Sequence, residues 1–71
     1  MQTLIFNTTK KTIKVTEGNI NDSNVIFEAE NVPTVKGLTE GFYEVMQKDE
    51  NDNTRPILRL PIANTNMVIE K

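Results

Sequence analysis

The only two arginines of the chain stand four residues apart in Arg55-Pro56-Ile57-Leu58-Arg59-Leu60-Pro61. In an extended strand, side chains at i, i+2 and i+4 share a face, so Arg55, Ile57 and Arg59 line up on one side. Two guanidinium groups so placed make a two-pronged clamp for a carboxylate or a phosphate, since each is a planar fork of donors. A second reading gives Arg59 to Glu44, which an antiparallel pairing sets directly opposite, and leaves Arg55 as a solvated strand end. The second takes precedence, because surface pairs of this kind are common and contribute little. On it, replacing Arg59 by Ala barely changes stability. The binding set to test is Arg55, Arg59 and Ile57, joined by Lys10 and Lys14 and by Tyr43 on the facing strand.

Catalytic chemistry finds few residues to use. The chain has no histidine and no cysteine, so Ser-His and Cys-His arrangements are excluded and the usual structural zinc sites with them. The one serine, Ser23, lies in a polar stretch with no base beside it. Glu28 and Glu30 share a strand face, but a carboxylate pair that cleaves glycosides needs a substantial cleft, which 71 residues of sheet are ill suited to build. Asp49-Glu50-Asn51-Asp52-Asn53 has the D-x-N-x-N opening of a calcium loop. Thr54 stands where its glycine belongs, however, and Leu60 where its bidentate glutamate belongs. No glycine-rich phosphate loop is present. The reading is a non-enzyme with no cofactor and no metal.

Charge bears on nucleic acid. The net charge is −2, and it is unevenly spread. Residues 1–16 hold three lysines and no acid, residues 17–52 hold nine acids against Lys36 and Lys48, and residues 53–71 hold Arg55, Arg59 and Lys71 against Glu70. Phosphate neutralisation supplies most duplex affinity, so Lys10, Lys11, Lys14, Arg55 and Arg59 would have to gather on one side. Phe6, Phe27, Phe42 and Tyr43 are the only aromatics, too few to build both a core and a stacking platform. The acidic middle fits an imitation of nucleic acid that blocks a DNA-binding protein and fits ordinary solubility equally well; a mimic would set its carboxylates in a regular array on one face with no interleaved lysine.

Strands must position these groups, because the pattern repeats every two residues and hardly anywhere at helical spacing. Thr12-Ile13-Lys14-Val15-Thr16 alternates strictly, as a half-buried strand does. A turn over Thr8–Lys11 pairs Phe6 with Ile13 and Leu4 with Val15, so that all four share one face. Residues 17–24 read as a loop, and Val25–Ala29 as a third strand. Pro33 and Gly37 break any regular element between Asn31 and Gly41, leaving a short extended piece around Val35 and a turn near Gly37 or Gly41. The Asn- and Asp-rich stretch 49–54 joins two strands into a hairpin. Its register sets Val45 opposite Leu58, Tyr43 opposite Leu60 and Glu44 opposite Arg59, with Phe42, Met46 and Ile57 on the Glu44 face. Pro56 and Pro61 cannot donate to a ladder, so that strand lies at an edge, begins at Pro56 or bends near Pro61. Asn64-Thr65-Asn66 reads as a turn, and Met67-Val68-Ile69 as a last strand that closes the sheet or pairs with another subunit.

The expectation is one all-β domain over residues 1–71. It comprises five to six short, mostly antiparallel strands in an open twisted sheet or a small barrel. Such a chain buries only about 60% of the surface it exposes when unfolded, and with disulfides and zinc excluded self-association is the remaining common remedy, so a homo-oligomer is expected. The N-terminus has no basic region and its apolar run is three residues long, which predicts a cytoplasmic protein without a membrane partner and leaves the glycosylation patterns at Asn7 and Asn21 unused. Asparagine, isoleucine and lysine supply 22 of 71 residues, the bias of AT-rich coding DNA. These features together suggest a binding module, of the kind a phage or mobile element uses to bind and inhibit a host protein. The alternative is an oligomer whose Arg and Lys side chains hold an anionic nucleotide or oligonucleotide.

Overall fold

Asn7 ends the first strand by turning its own backbone. In a computed structural model that describes residues 1–18 and 24–71, its side-chain carbonyl accepts the N–H groups of Thr9 and Lys10 at 3.1 and 2.8 Å. Lys11 then takes φ +58°, and the chain doubles back. Strand β1 (Gln2–Asn7) therefore pairs antiparallel with β2 (Thr12–Glu17), with Leu4 opposite Val15 and Phe6 opposite Ile13. This is the register the alternation predicts: a one-residue slip would turn all four apolar side chains to water. The loop expected over 17–24, with Ser23 and the pattern at Asn21, falls mostly outside the described residues.

Strand β3 (Val25–Ala29) adds to β2, with a register shift beside Val15 and Thr16. The first meander ends at Asn31, whose φ is +58°, and at Pro33, which has no N–H to give a ladder. A second meander comes next: β4 (Thr34–Gly37), β5 (Phe42–Lys48) and β6 (Thr54–Pro61). Gly41 makes the first of its turns at φ +92°, donating to the Leu38 carbonyl at 3.0 Å. Asp49 makes the second. Its Oδ1 accepts the N–H groups of Asn51 and Asn53 at 2.9 and 3.0 Å, the local bonding for which Asp is favoured in turns. A short 3-10 turn (Ile62–Asn64) then leads into β7 (Thr65–Glu70), which lies parallel to β1.

The described residues thus form seven strands in two sheets, ordered β3-β2-β1-β7 and β4-β5-β6. Fold class is as the pattern predicts, and every ladder except β1–β7 is antiparallel. The strands number one more than the upper expectation. They also form a two-sheet sandwich in place of one open sheet or a barrel. The break at Asn31–Pro33 separates the meanders, and each has an apolar face to bury against the other.

Leu4, Phe6, Ile13 and Val15 from one sheet meet Val45 and Leu60 from the other, with Val32 of the connection between them. Phe27, Val35, Tyr43, Leu58 and Met67 pack at the margins of this core. Each fully buried aliphatic side chain here contributes about 1.5–3 kcal/mol relative to exposure. Among the described residues no helix is long and apolar enough to cross a membrane.

Candidate functional site

The strand that carries both arginines contains one residue too many. Val45 faces Leu58 but Met46 faces Pro56, so Ile57 is an insertion, a β-bulge. Ile57 and Leu58 both pack against the core. Ile57 is therefore not on the Glu44 face, where strict alternation puts it. Beyond the bulge the faces exchange. Arg59 opposes Glu44 on the outer face of the three-stranded sheet, whereas Arg55 opposes Gln47, which shares the inner face of Val45. The two guanidinium groups point to opposite sides of the sheet and do not form the clamp that period-two spacing suggests.

Arg59 is occupied. Its Nε donates to Glu44 Oε2 at 2.8 Å. Glu44 lies in the central strand, flanked by Lys36 on β4 and Arg59 on β6, and is only 8% exposed. This is not a loose surface pair, since one partner is nearly out of water.

Arg55 opens into a cleft of about 600 Å³ at one end of the sandwich. Three turns meet there: the β1–β2 turn brings Lys11, the connection between the sheets brings Asn31 and Pro33, and the β5–β6 hairpin brings Gln47, Lys48 and Asp49. Main-chain and side-chain bonds hold the three together. Val32 N–H donates to Lys11 O at 2.8 Å and Lys48 N–H to Asn31 O at 2.9 Å, and Gln47 Nε2 donates to Glu30 O at 2.9 Å.

The charges of the cleft are unequally satisfied. Lys48 Nζ sits 3.3 Å from Asp52 Oδ1, and Asp49 uses its carboxylate to close the hairpin. Glu50, exposed in the hairpin turn, also lines the cleft, as does Asp52, so three carboxylates stand there beside three cations. Lys11 and Arg55 have no carboxylate within ion-pairing distance among the described residues. A guanidinium and an ammonium are left facing one concave, solvent-open space, an arrangement that accepts a carboxylate or phosphate oxygen.

Of the six residues singled out from sequence, only Arg55 lines this cleft. Lys10 is exposed in the same turn as Lys11 but does not line the cleft. Lys14 lies on the outer face of the four-stranded sheet, opposite Ile5 and Glu28. Tyr43 is half-buried opposite Leu60 and Gly37. Lys11 and Gln47 are the additions. The adjacent apolar residues Ile57 and Leu58 are a signal for the placement of Arg55 alone, because two neighbouring side chains that both need burial imply a bulge, and a bulge moves Arg55 to the inner side.

The described residues define a small seven-stranded β-sandwich with a polar cleft at one end, lined by three cations and three carboxylates. Compared with protein-family models, with curated proteins and with solved structures, the chain matches none.

Proposed function

We propose that the chain is a non-enzymatic binding module that takes an acidic group of a protein partner into the cleft between Lys11 and Arg55. The observation that supports this reading is the difference in pairing among the three cations that line the cleft: Lys48 has a carboxylate partner in Asp52, and Lys11 and Arg55 have none among the described residues. The cleft's own acids are engaged in the hairpin or stand at its tip, and the chain has no histidine or cysteine to act as base or nucleophile. Nothing aromatic lines the cleft among the described residues, so a base would have no face to stack on, which favours a protein carboxylate over a nucleotide. The AT-biased composition adds a setting, that of a phage or mobile-element protein acting in the cytoplasm on a host protein.

The experiment is a thermal-shift titration with hexaglutamate, inorganic phosphate and a short oligonucleotide. It compares the wild-type chain with Lys11→Ala, Arg55→Ala and the control Lys14→Ala. The expected result is stabilisation by hexaglutamate that both cleft substitutions remove and Lys14→Ala keeps. An oligonucleotide that binds more tightly, with a log–log salt slope of about −1.4 for two phosphates neutralised, would instead favour the anionic-ligand reading. Indifference to all three probes would refute the cleft as a site.

A further inference from the structure

A two-sheet sandwich has four edge strands, and each exposes a row of N–H and C=O groups that invites another strand unless something guards it. Here the edges are β3, β7, β4 and β6. Strand β4 is four residues long. Strand β6 carries Pro56, Pro61 and the bulge at Ile57. Strand β3 exposes Val25 and Ile26, but it is broken by its register shift and carries Glu28 in its second half. Strand β7 has no such guard. It is six residues of regular strand with no proline, no glycine, no register shift and no charge before Glu70, and Ile69 is 55% exposed.

Its open side can be identified. Thr8 N–H donates to Glu70 O at 2.9 Å, so the main-chain groups of Glu70 point toward β1, and with them those of Val68 and Asn66. The N–H and C=O of Met67 and Ile69 therefore face outward, whereas the Thr65 N–H is already spent on Ile62 O in the 3-10 turn. We propose that a second copy of this chain lays its own β7 antiparallel along this edge, about a two-fold axis at Val68, joining two four-stranded sheets into one of eight. Directly opposed residues of an antiparallel pair share a face, which requires odd to meet odd and even to meet even. An axis at Val68 satisfies this, sets Ile69 against Met67 of the second copy, and places Asn66 where its amide can donate to the Glu70 carboxylate. No like charges meet. An axis at Met67 would leave Ile69 against Thr65 and bring Glu70 opposite Asn64, which belongs to the 3-10 turn. The Val68 arrangement is also closed, so it ends at two copies and not in a filament.

The absence of cysteine makes the test free of background. With the axis at Val68, the two Val68 residues form a non-hydrogen-bonded pair with Cα atoms about 4.5 Å apart, within disulfide range. Val68→Cys is expected to cross-link two chains under mild oxidation, whereas Met67→Cys and Ile69→Cys, each offset from its own copy, are not. Sedimentation should show a dimer. Ile69→Pro deletes an outward N–H and no intramolecular bond, so it should weaken the dimer at least about tenfold while the far-ultraviolet circular dichroism stays that of the wild type. A monomer up to about millimolar concentration, cross-linking at Met67→Cys in place of Val68→Cys, or an Ile69→Pro chain that stays dimeric would each overturn the proposal. Lys11 and Arg55 are untouched by these variants, so the outcome is independent of the cleft.

Discussion

Substituting Arg59 by Met tests whether burial of one partner changes the value of an ion pair. Met keeps most of the aliphatic stem over the sheet and removes the guanidinium. The Glu44 side chain is 10% exposed and the Arg59 side chain 56%, so the pair is neither a surface bridge, at about 0–1 kcal/mol, nor a fully buried one, whose disruption costs about 3–5 kcal/mol. A hydrogen bond to a charged group contributes about 1.5–3 kcal/mol. With Lys36 still opposite Glu44 to compensate in part, the expected cost is about 2 kcal/mol. At about 4–8 °C per kcal/mol for a domain of this size, the midpoint of thermal unfolding falls by about 8–16 °C. The internal control is Lys48→Met. It breaks an ion pair whose partners are 46% and 84% exposed; at about 0.5 kcal/mol for such a pair, the midpoint should fall by about 2–4 °C. Circular dichroism at one fixed pH and salt concentration reads both. Equal shifts in the two variants would refute the claim that burial of Glu44 sets the strength of its pair.

Two glycines separate space from backbone strain. A Cβ at either Gly37 or Gly41 meets nothing within 4 Å, but only Gly41 has a positive φ, at +92°. Gly41→Ala is expected to cost about 1 kcal/mol, and Gly37→Ala to cost nothing or to stabilise by a few tenths, as urea unfolding will show. In the hairpin, Asp49→Ala removes the acceptor of two N–H groups in an exposed turn. It should cost about 1 kcal/mol and speed hydrogen exchange at Asn51 and Asn53, with Phe6 and Val15 amides unaffected at short times.

Both hairpin registers were legible in the sequence because the constraints there are local. Asn7 and Asp49 close their own turns, and the alternation of Leu4, Phe6, Ile13 and Val15, or of Tyr43 and Val45 against Leu58 and Leu60, admits one phase. The bulge was less visible. A period-two reading carried through Arg55-Ile57-Arg59 assumes one residue per rung, and the insertion of Ile57 depends on how both Ile57 and Leu58 meet a core built from the other sheet. The division into two sheets, and the return of β7 to β1, depend on contacts more than sixty residues apart in sequence, for which no short stretch carries a signature. The cleft inherits both difficulties, since Lys11 from the β1–β2 turn and Arg55 from β6 are brought together only by the tertiary fold.

The parallel pairing of β1 with β7 also sets how the domain responds to tension. The chain enters β1 at Gln2 and leaves β7 at Glu70, at opposite ends of adjacent, in-register strands. A pull on the two ends drags these strands past each other lengthwise, so every rung between them bears load at once. Were the strands antiparallel, the same pull would peel the rungs apart singly. The domain is thus braced against stretching by its outermost segments, and its interior meanders feel the force only after that brace has sheared.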